Sequence, residues 1–587
     1  MQKPSTPRHL AKWVIPSLAL FVAANSIHAQ TANASVWLGT TSTNWNEATN
    51  WSPTGVPSAV NAGIDGTAAN APIITSAVPD VAQLLINGGT ATSSVVIDAG
   101  GSLTAAGNGG NTGLFVGANG SSGLFTVQNG GSFTLTGGDF GVGRGVGASV
   151  LTLKDTGSSI NVSNVNEFQI GWDGGGDGTI NQTGGTFNFT AGGDLRIGAF
   201  GGTGHYNLSG ATSVANFRNT RIGYGGGTGT LTQSEGTINQ TGSDFAVGWG
   251  GGSGTYQMDG GTMNASRFRV AVGDATTGTV IQTGGTVNIS DTLDVGEAGS
   301  GGPSTGEYRM QGGTLNMTAN WMRIGFGDTG SVGTFTQTGG TVITDGDHGV
   351  IVADNPNAVG NLNLNGGVFQ AGKIQKGGGN GSLTINGGTL KPVHDEGNFI
   401  APGFTVVTIG TNGATFDTAG FDTGVQSPLT GPGGITKIGG NQLKLGSVNT
   451  YTGNTVINAG VFTIEDNGSL LFSINASGVN NQITGNGTGN LNLFGHFAFD
   501  LTNAAPVGSW TIINLAGIAG GAANFGANFS VTGWTDNGDN TWSFGNYTFS
   551  ETTGILTAVP EPSTVALLCV SLGFGLSTVA RRRRRLN

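Results

Sequence analysis

The chain has 587 residues, 112 of them glycine, and although 36% are hydrophobic only 9% are charged. Glycine does not recur at every third position, which excludes a collagen-like triple helix, and low charge with many Val, Ile, Leu and Phe residues excludes charge-driven disorder. Setting aside Lys3, Arg8, Lys12, Glu561 and Arg581 to Arg585 at the two ends leaves 14 basic and 32 acidic residues, a formal charge of −18 that repels phosphate backbones and excludes nucleic acid as an expected partner.

At the N-terminus, Lys3, Arg8 and Lys12 precede the apolar run "WVIPSLALFVAAN" and then "SIHAQTANAS". This is the order of a secretory signal peptide, residues 1–29, with cleavage expected after Ala29 and Ala34 as the alternative. The apolar run is too short to span a bilayer. Residues 30–90 form a Trp-rich segment, "VWLGTTSTNWNEATNWSPTGVPSA", with Trp37, Trp45 and Trp51. It resembles the opening segment of other secreted bacterial repeat proteins. Exposed tryptophans stack on sugars, but a solenoid also needs its first coil covered, and we read the segment as a cap.

Residues 91–395 repeat one unit, as in "GTINQTGGTFNFTAGGDLRIGAF" from Gly178 and "GTVIQTGGTVNISDTLDVGEAGS" from Gly278. Units start near 93, 123, 149, 178, 204, 229, 254, 278, 306, 333, 360 and 381, a spacing that excludes separate globular domains. Within each unit the parity is that of strands. One inward column runs Ile180, Tyr206, Leu231, Tyr256, Val280, Tyr308, Phe335, Leu362, Leu383, mostly after an outward Thr, and a second runs Phe187, Ile238, Met263, Val287, Leu315, Val342, Phe369, Leu390. A third short strand follows: "LRIG" (Leu195 to Gly198), "TRIG", "FAVG", "VAVG" (Val270 to Gly273), "LDVG" and "MRIG". Three strands per unit predict an all-β fold, a right-handed parallel β-helix of about twelve coils, stacked about 4.8 Å apart into a rod of about 55 Å. One column stays open: Gln182, Gln233, Gln282 and Gln337 alternate with Leu or Met where parity predicts interior. Either these glutamines pair with neighbouring backbone at a corner, or the strand bends there.

Residues 396–490 read as further β-helix, and 491–558 as a C-terminal β cap. Within them, 431–464, "GPGGITKIGGNQLKLGSVNTYTGNTVINAGVFTI", matches Gly-x-x-Leu-x-Lys-x-Gly, Leu-x-Leu and Asn-Thr-Tyr-Thr-Gly at Lys437, Gly439, Leu443, Leu445 and Asn449 to Gly453. The segment resembles the autotransporter-associated β-strand repeat, departing from it at Asn441-Gln442; the resemblance implies a surface-exposed β-helix.

The tail, 559–587, is "VPEPSTVALLCVSLGFGLSTVARRRRRLN" and holds the single cysteine, Cys569, so the body has neither an internal disulfide nor a thiolate. Thr564 to Ala580, as a helix, would reach about 25 Å, a short transmembrane span, and Arg581, Arg582, Arg583, Arg584 and Arg585 should hold its end in the cytoplasm. Pro560, Glu561 and Pro562 ahead of a short span and a terminal basic run resemble the PEP-CTERM sorting signal of Gram-negative bacteria. The resemblance implies an exosortase-type membrane enzyme as partner, cutting near Pro-Glu-Pro. It also implies transient anchoring in the inner membrane, then delivery to the cell surface or exopolysaccharide matrix.

Candidates for chemistry are weak. The six histidines show no metal-ligand spacing, and "DGDHG" (Asp345 to Gly349) and "HDE" (His394 to Glu396) read as turns. "DNGDN" (Asp536 to Asn540) lacks the final glutamate of a calcium loop, and "GVGRGVG" (Gly141 to Gly147) has the wrong spacing for a nucleotide loop. Arg196, Arg221 and Arg323 share an outward position, but Ala246, Ala271 and Asp294 interrupt them, so no ligand stripe is expected. We therefore expect no catalytic, cofactor-binding or metal-binding residue. The reading is a non-catalytic surface or matrix protein of structural or adhesive role, with exopolysaccharide or cell-surface components as partners; the alternative is a β-helix lyase or hydrolase acting on matrix polysaccharide.

Overall fold

The computed structural model describes residues 34–559 apart from 88–90, 108–112, 119, 300–301, 328–329 and 345–346. The expected signal peptide with Ala29 and the tail from Pro560 to Asn587, including Glu561 and the five arginines, lie outside the described residues. Among the described residues no helix is long and apolar enough to cross a membrane.

The body is a parallel β-solenoid of about 17 turns, against the twelve expected. The shortfall has a physical cause. The Gly-Gly-Thr turn marks only the middle coils, whereas the coils before Ser93 and after 395 close their corners with other residues. At about 4.8 Å per coil the rod is about 80 Å long.

One coil shows the design: strands Thr203–Leu208, Val214–Phe217 and Thr220–Tyr224 follow one another around the rod. Each pairs in parallel with the next coil, Tyr206 beside Leu231, Ala215 beside Ile238 and Ile222 beside Val247. Repetition produces three long sheets of 19, 16 and 21 strands, here called the first, second and third in the order the chain meets them within a coil. Alternation decides what faces in. Ile180, Tyr206, Leu231, Tyr256 and Val280 are all fully buried, and one continuous apolar core runs from Trp37 to Ala558.

The glutamine column is interior, and the backbone-pairing option holds. Gln233 Nε2 donates to Gly236 O at 3.1 Å and to Thr262 O of the next coil at 3.0 Å, closing the corner between first and second sheets. Its Oε1 accepts from the buried Tyr256 hydroxyl of the next coil at 2.6 Å. Gln182 with Tyr206 and Gln282 with Tyr308 repeat the arrangement, so the working unit is a pair of coils, one bringing Gln and the next Tyr. Gln337 breaks it: the next coil brings Leu362, and Gln337 Oε1 is left without a donor.

In the later coils Lys437 does similar work at the corner between second and third sheets. Fully buried, its Nζ donates to Thr418 Oγ1, Ile438 O and Gly439 O at 2.8 Å and to Ala459 O at 3.2 Å. Asn449 staples another corner, accepting from Leu429 N and donating to Ser447 O and Ser469 O. Lys437 and Asn449 of the 431–464 motif are thus spent largely on backbone inside the rod.

At the N-terminal end Trp37, Trp45 and Trp51 are at most 1% exposed and pack edge to face, with centroids 5.0 and 4.7 Å apart. Trp51 Nε1 donates to Trp45 O and Trp37 Nε1 to Asn70 O, so these indoles cover the core and present no face to a ligand. At the other end, parallel winding reaches Ser530–Val531, and a five-stranded antiparallel sheet lays Phe549 and Trp542 over Phe497 and Phe529.

Candidate functional site

The outer surface is uneven. The second sheet presents a ladder of amide hydrogen bonds, Asn188 to Asn161, Asn216 to Asn188, Asn239 to Asn216, Asn264 to Asn239 and Asn288 to Asn264, all at 2.7–2.9 Å. The third sheet is different. Of the eight arginines between residues 34 and 559, all but Arg309 lie on or beside its strands.

The register expected for its third strand in one coil is corrected here. Strand Arg267–Val272 aligns Phe268 with Leu293 and Val270 with Val295, so Arg269, not Ala271, continues the outward column of Arg196, Arg221, Ala246, Asp294 and Arg323. Ala271 instead occupies the corner where neighbouring coils carry glycine, with φ of 59°. At the matching Gly198 a Cβ would meet Thr228 O of the next coil at 1.9 Å.

That left-handed corner also explains a column that strand parity misplaces. Counted from the buried Ile222 and Val247, Tyr224 and Trp249 should point inward. The intervening glycine reverses the alternation, and Trp172, Tyr224, Trp249 and Phe326 emerge half-buried on the outside, one step after Gly171, Gly223, Gly248 and Gly325. The recurrent Gly-aromatic dipeptide was the available signal.

The result is a belt about eight coils long in which arginines lie among outward rings and carboxylates, Asp294 standing in the arginine column itself and Glu297 in the ring column beside Phe326. Arg221 bonds Asp194 of the preceding coil at 2.9 Å and lies 4.1 Å over the Trp249 ring of the next. Arg196 is held between Glu167 at 2.8 Å and Tyr224 at 4.4 Å, Arg323 between Asp294 at 2.6 Å and Phe326 at 3.7 Å, and Arg144 lies 4.1 Å over Trp172. Arg269 bridges Glu297 and Asp244, and Arg267 adds longer contacts to Asp244 and Asp294. With side chains 10–19% exposed, Arg196, Arg221, Arg269 and Arg323 are buttressed rather than free. With Asp173, 3.4 Å from Arg144, six arginines face six carboxylates, so the belt is locally neutral on an acidic rod. Asp294 is fully buried, and burial pushes its carboxyl up against the opposing pull of Arg323. The Nε groups of Arg196 and Arg221, Gln169 Oε1 and Asp244 Oδ1 are buried without a hydrogen-bond partner.

The acidic turns singled out in the sequence are tied into local structure. His394 contacts Asp395 O, Asp395 accepts from Asp422 N, and Glu396 accepts from Asn398 N. Asp345 lies outside the described residues, and His348 packs against Trp321. Asp536 accepts from Gly538 N at a hairpin of the antiparallel sheet. Among the described residues no group of three His, Cys, Asp or Glu side chains is placed to hold a metal ion.

A family model of the PEP-CTERM protein-sorting motif matches residues 558–585. A curated relative, an adhesin named BmaC autotransporter from Brucella suis biovar 1 (strain 1330), is 28% identical over 215 residues, covering 34% of this chain. The match spans only 6% of that relative's own length. No solved structure matches the chain.

Proposed function

From a parallel β-solenoid whose C-terminus carries a PEP-CTERM protein-sorting motif, we propose a secreted, non-catalytic protein of the bacterial surface that adheres to other surface components through its third sheet. The sorting motif implies processing by an exosortase-type membrane enzyme at the inner membrane of a Gram-negative cell, and delivery to the surface or exopolysaccharide matrix. The similarity to an adhesin supports the adhesive role. The observation that carries it is the belt, where arginines and outward aromatics, the side chains most enriched at binding hot spots, are gathered on one face and pre-ordered by pairing.

The test is attachment. Beads carrying the purified full chain are scored on whole cells and isolated surface polymers, and the Arg221→Ala, Trp249→Ala double variant is expected to attach about tenfold more weakly. No attachment by the parent chain overturns the adhesive reading, and equal attachment by the variant removes the belt from it.

A second reading has one observation in its favour: Asp244, Arg267, Arg269, Asp294 and Glu297 converge on this face, the composition a polysaccharide lyase or hydrolase needs. Against it, Asp244, Asp294 and Glu297 are all ion-paired to arginine. Release of new reducing ends from a matrix polysaccharide, lost in both Asp244→Asn and Asp294→Asn, would establish the enzyme.

A further inference from the structure

The outer face of the third sheet continues past the belt to the last coils, where strands Gln442–Leu445, Val461–Ile464 and Asn490–Leu493 lie side by side. Here a groove of about 470 Å³ opens, lined by Gln442, Lys444, Thr463, Glu465, Asp466 and Phe494. Its size is that of a small-ligand site.

Two glycines make it. A Cβ on Gly446 would meet Gln426 Oε1 at 1.9 Å and Glu465 Oε2 at 2.5 Å; without one, Gln426 Nε2 reaches Glu465 Oε2 at 3.0 Å and fixes that carboxylate. A Cβ on Gly526 would press on the Phe494 ring at 2.5 Å. Asn528 Nδ2 holds Asp466 Oδ2 at 3.1 Å. Each carboxylate is therefore oriented through one oxygen and keeps the other for a ligand. Gln442 Nε2 is spent on Thr463 Oγ1. Lys444, half-buried between them, makes no hydrogen bond or ion pair among the described residues.

The groove thus offers an ammonium with three donors, two free carboxylate oxygens and one ring. Two carboxylates to one lysine disfavour an anion, and so polar a lining disfavours a lipid. A ligand matching this set is uncharged, carries alternating hydroxyl donors and acceptors, and has one apolar C–H face. We propose that the groove binds a neutral saccharide of one or two hexose units, its C–H face on Phe494, its hydroxyls accepting from Lys444 and donating to Glu465 and Asp466. The proposal gives the adhesive reading a ligand class and rests on that reading only for its biological role.

The experiment is saturation-transfer NMR on the purified full chain with neutral hexose mono- and disaccharides, and with hexuronic acids as the anionic arm. Neutral sugars are expected to bind and uronic acids to bind at least about tenfold more weakly. Lys444→Gln and Phe494→Ala should each weaken neutral-sugar binding about tenfold, while Phe494→Tyr and Arg309→Ala, on the first sheet outside both belt and groove, retain it, with circular dichroism checking that each variant keeps its strands. No neutral-sugar signal at about 10 mM, a preference for uronic acids, or loss in Arg309→Ala equal to that in Lys444→Gln overturns the site. A chain that attaches to cells yet ignores sugars sinks the groove alone; one that binds sugars through Lys444 yet attaches to nothing sinks the adhesive reading alone.

Discussion

Buried polar side chains in this rod are stapling groups, and their cost is visible when a partner is removed. Tyr256→Phe or Tyr308→Phe leaves the Oε1 of Gln233 or Gln282 without a donor, the condition Gln337 is already in. Each change should lower stability by about 1–2 kcal/mol, read as a fall in urea midpoint. Lys437 sets a pH dependence. Burial lowers its ammonium to about 8, against the pull of Asp417, whereas an unfolded lysine titrates near 10.4. Between those values the unfolded chain binds the extra proton, so stability should rise from about pH 8 to about pH 10. Above about pH 10 the slope turns down, because burial holds the hydroxyls of Tyr206, Tyr256, Tyr308 and Tyr451 protonated only in the folded chain. Urea titrations at several pH values check this, and Lys437→Met should abolish the rise; a rise that survives the substitution would show another group is responsible.

At the scale of the strand, the left-handed corner of the third sheet decides which side chains reach the surface. Ala271 holds that corner at φ 59° where Gly248 holds it in the preceding coil at φ 82°. Ala271→Gly should therefore stabilise the chain by up to about 1 kcal/mol, the left-handed penalty less the added freedom of the unfolded glycine. Gly248→Ala should destabilise it by more, since its Cβ would meet Thr277 O at 2.4 Å. Opposite shifts in melting temperature are the readout. The belt depends on this corner: had the alternation continued, Trp249 would lie in the core and Arg221 would lack its ring.

For the whole molecule, coils couple only to neighbours, so the ends control fraying. Trp45→Ala empties the centre of the N-terminal cap and should cost about 3–5 kcal/mol locally. Hydrogen exchange should speed up in Asn61–Ile64 and Gln83–Ile86 and stay unchanged in Thr277–Gln282. The proposed sorting role of the tail bears on location instead. Glu561→Gln should leave the chain full-length and membrane-bound, while neutral residues at Arg581 to Arg585 should disturb retention and topology. Membrane fractionation with intact mass separates these outcomes; a surface form still carrying its arginines would mark the tail as a plain anchor.

What the residues determined alone is whatever depends on local periodicity: strands of period two, three to a coil, an apolar interior from Ile180 to Leu390, and the sorting motif at the C-terminus, each legible because its signal lies within a few neighbouring positions. Tertiary structure decided what depends on contact between coils about 25 residues apart. Gln233 looked misplaced until Tyr256 of the next coil supplied its donor, and Arg269 joined its column only once strand pairing set the register. The coils beyond 395 carry no common turn signal, because corners stapled by Lys437 or Asn449 share no turn sequence with those built on Gly-Gly-Thr. The same holds for the groove. Lys444, Glu465 and Phe494 come from three successive coils, and only stacking at 4.8 Å makes them neighbours.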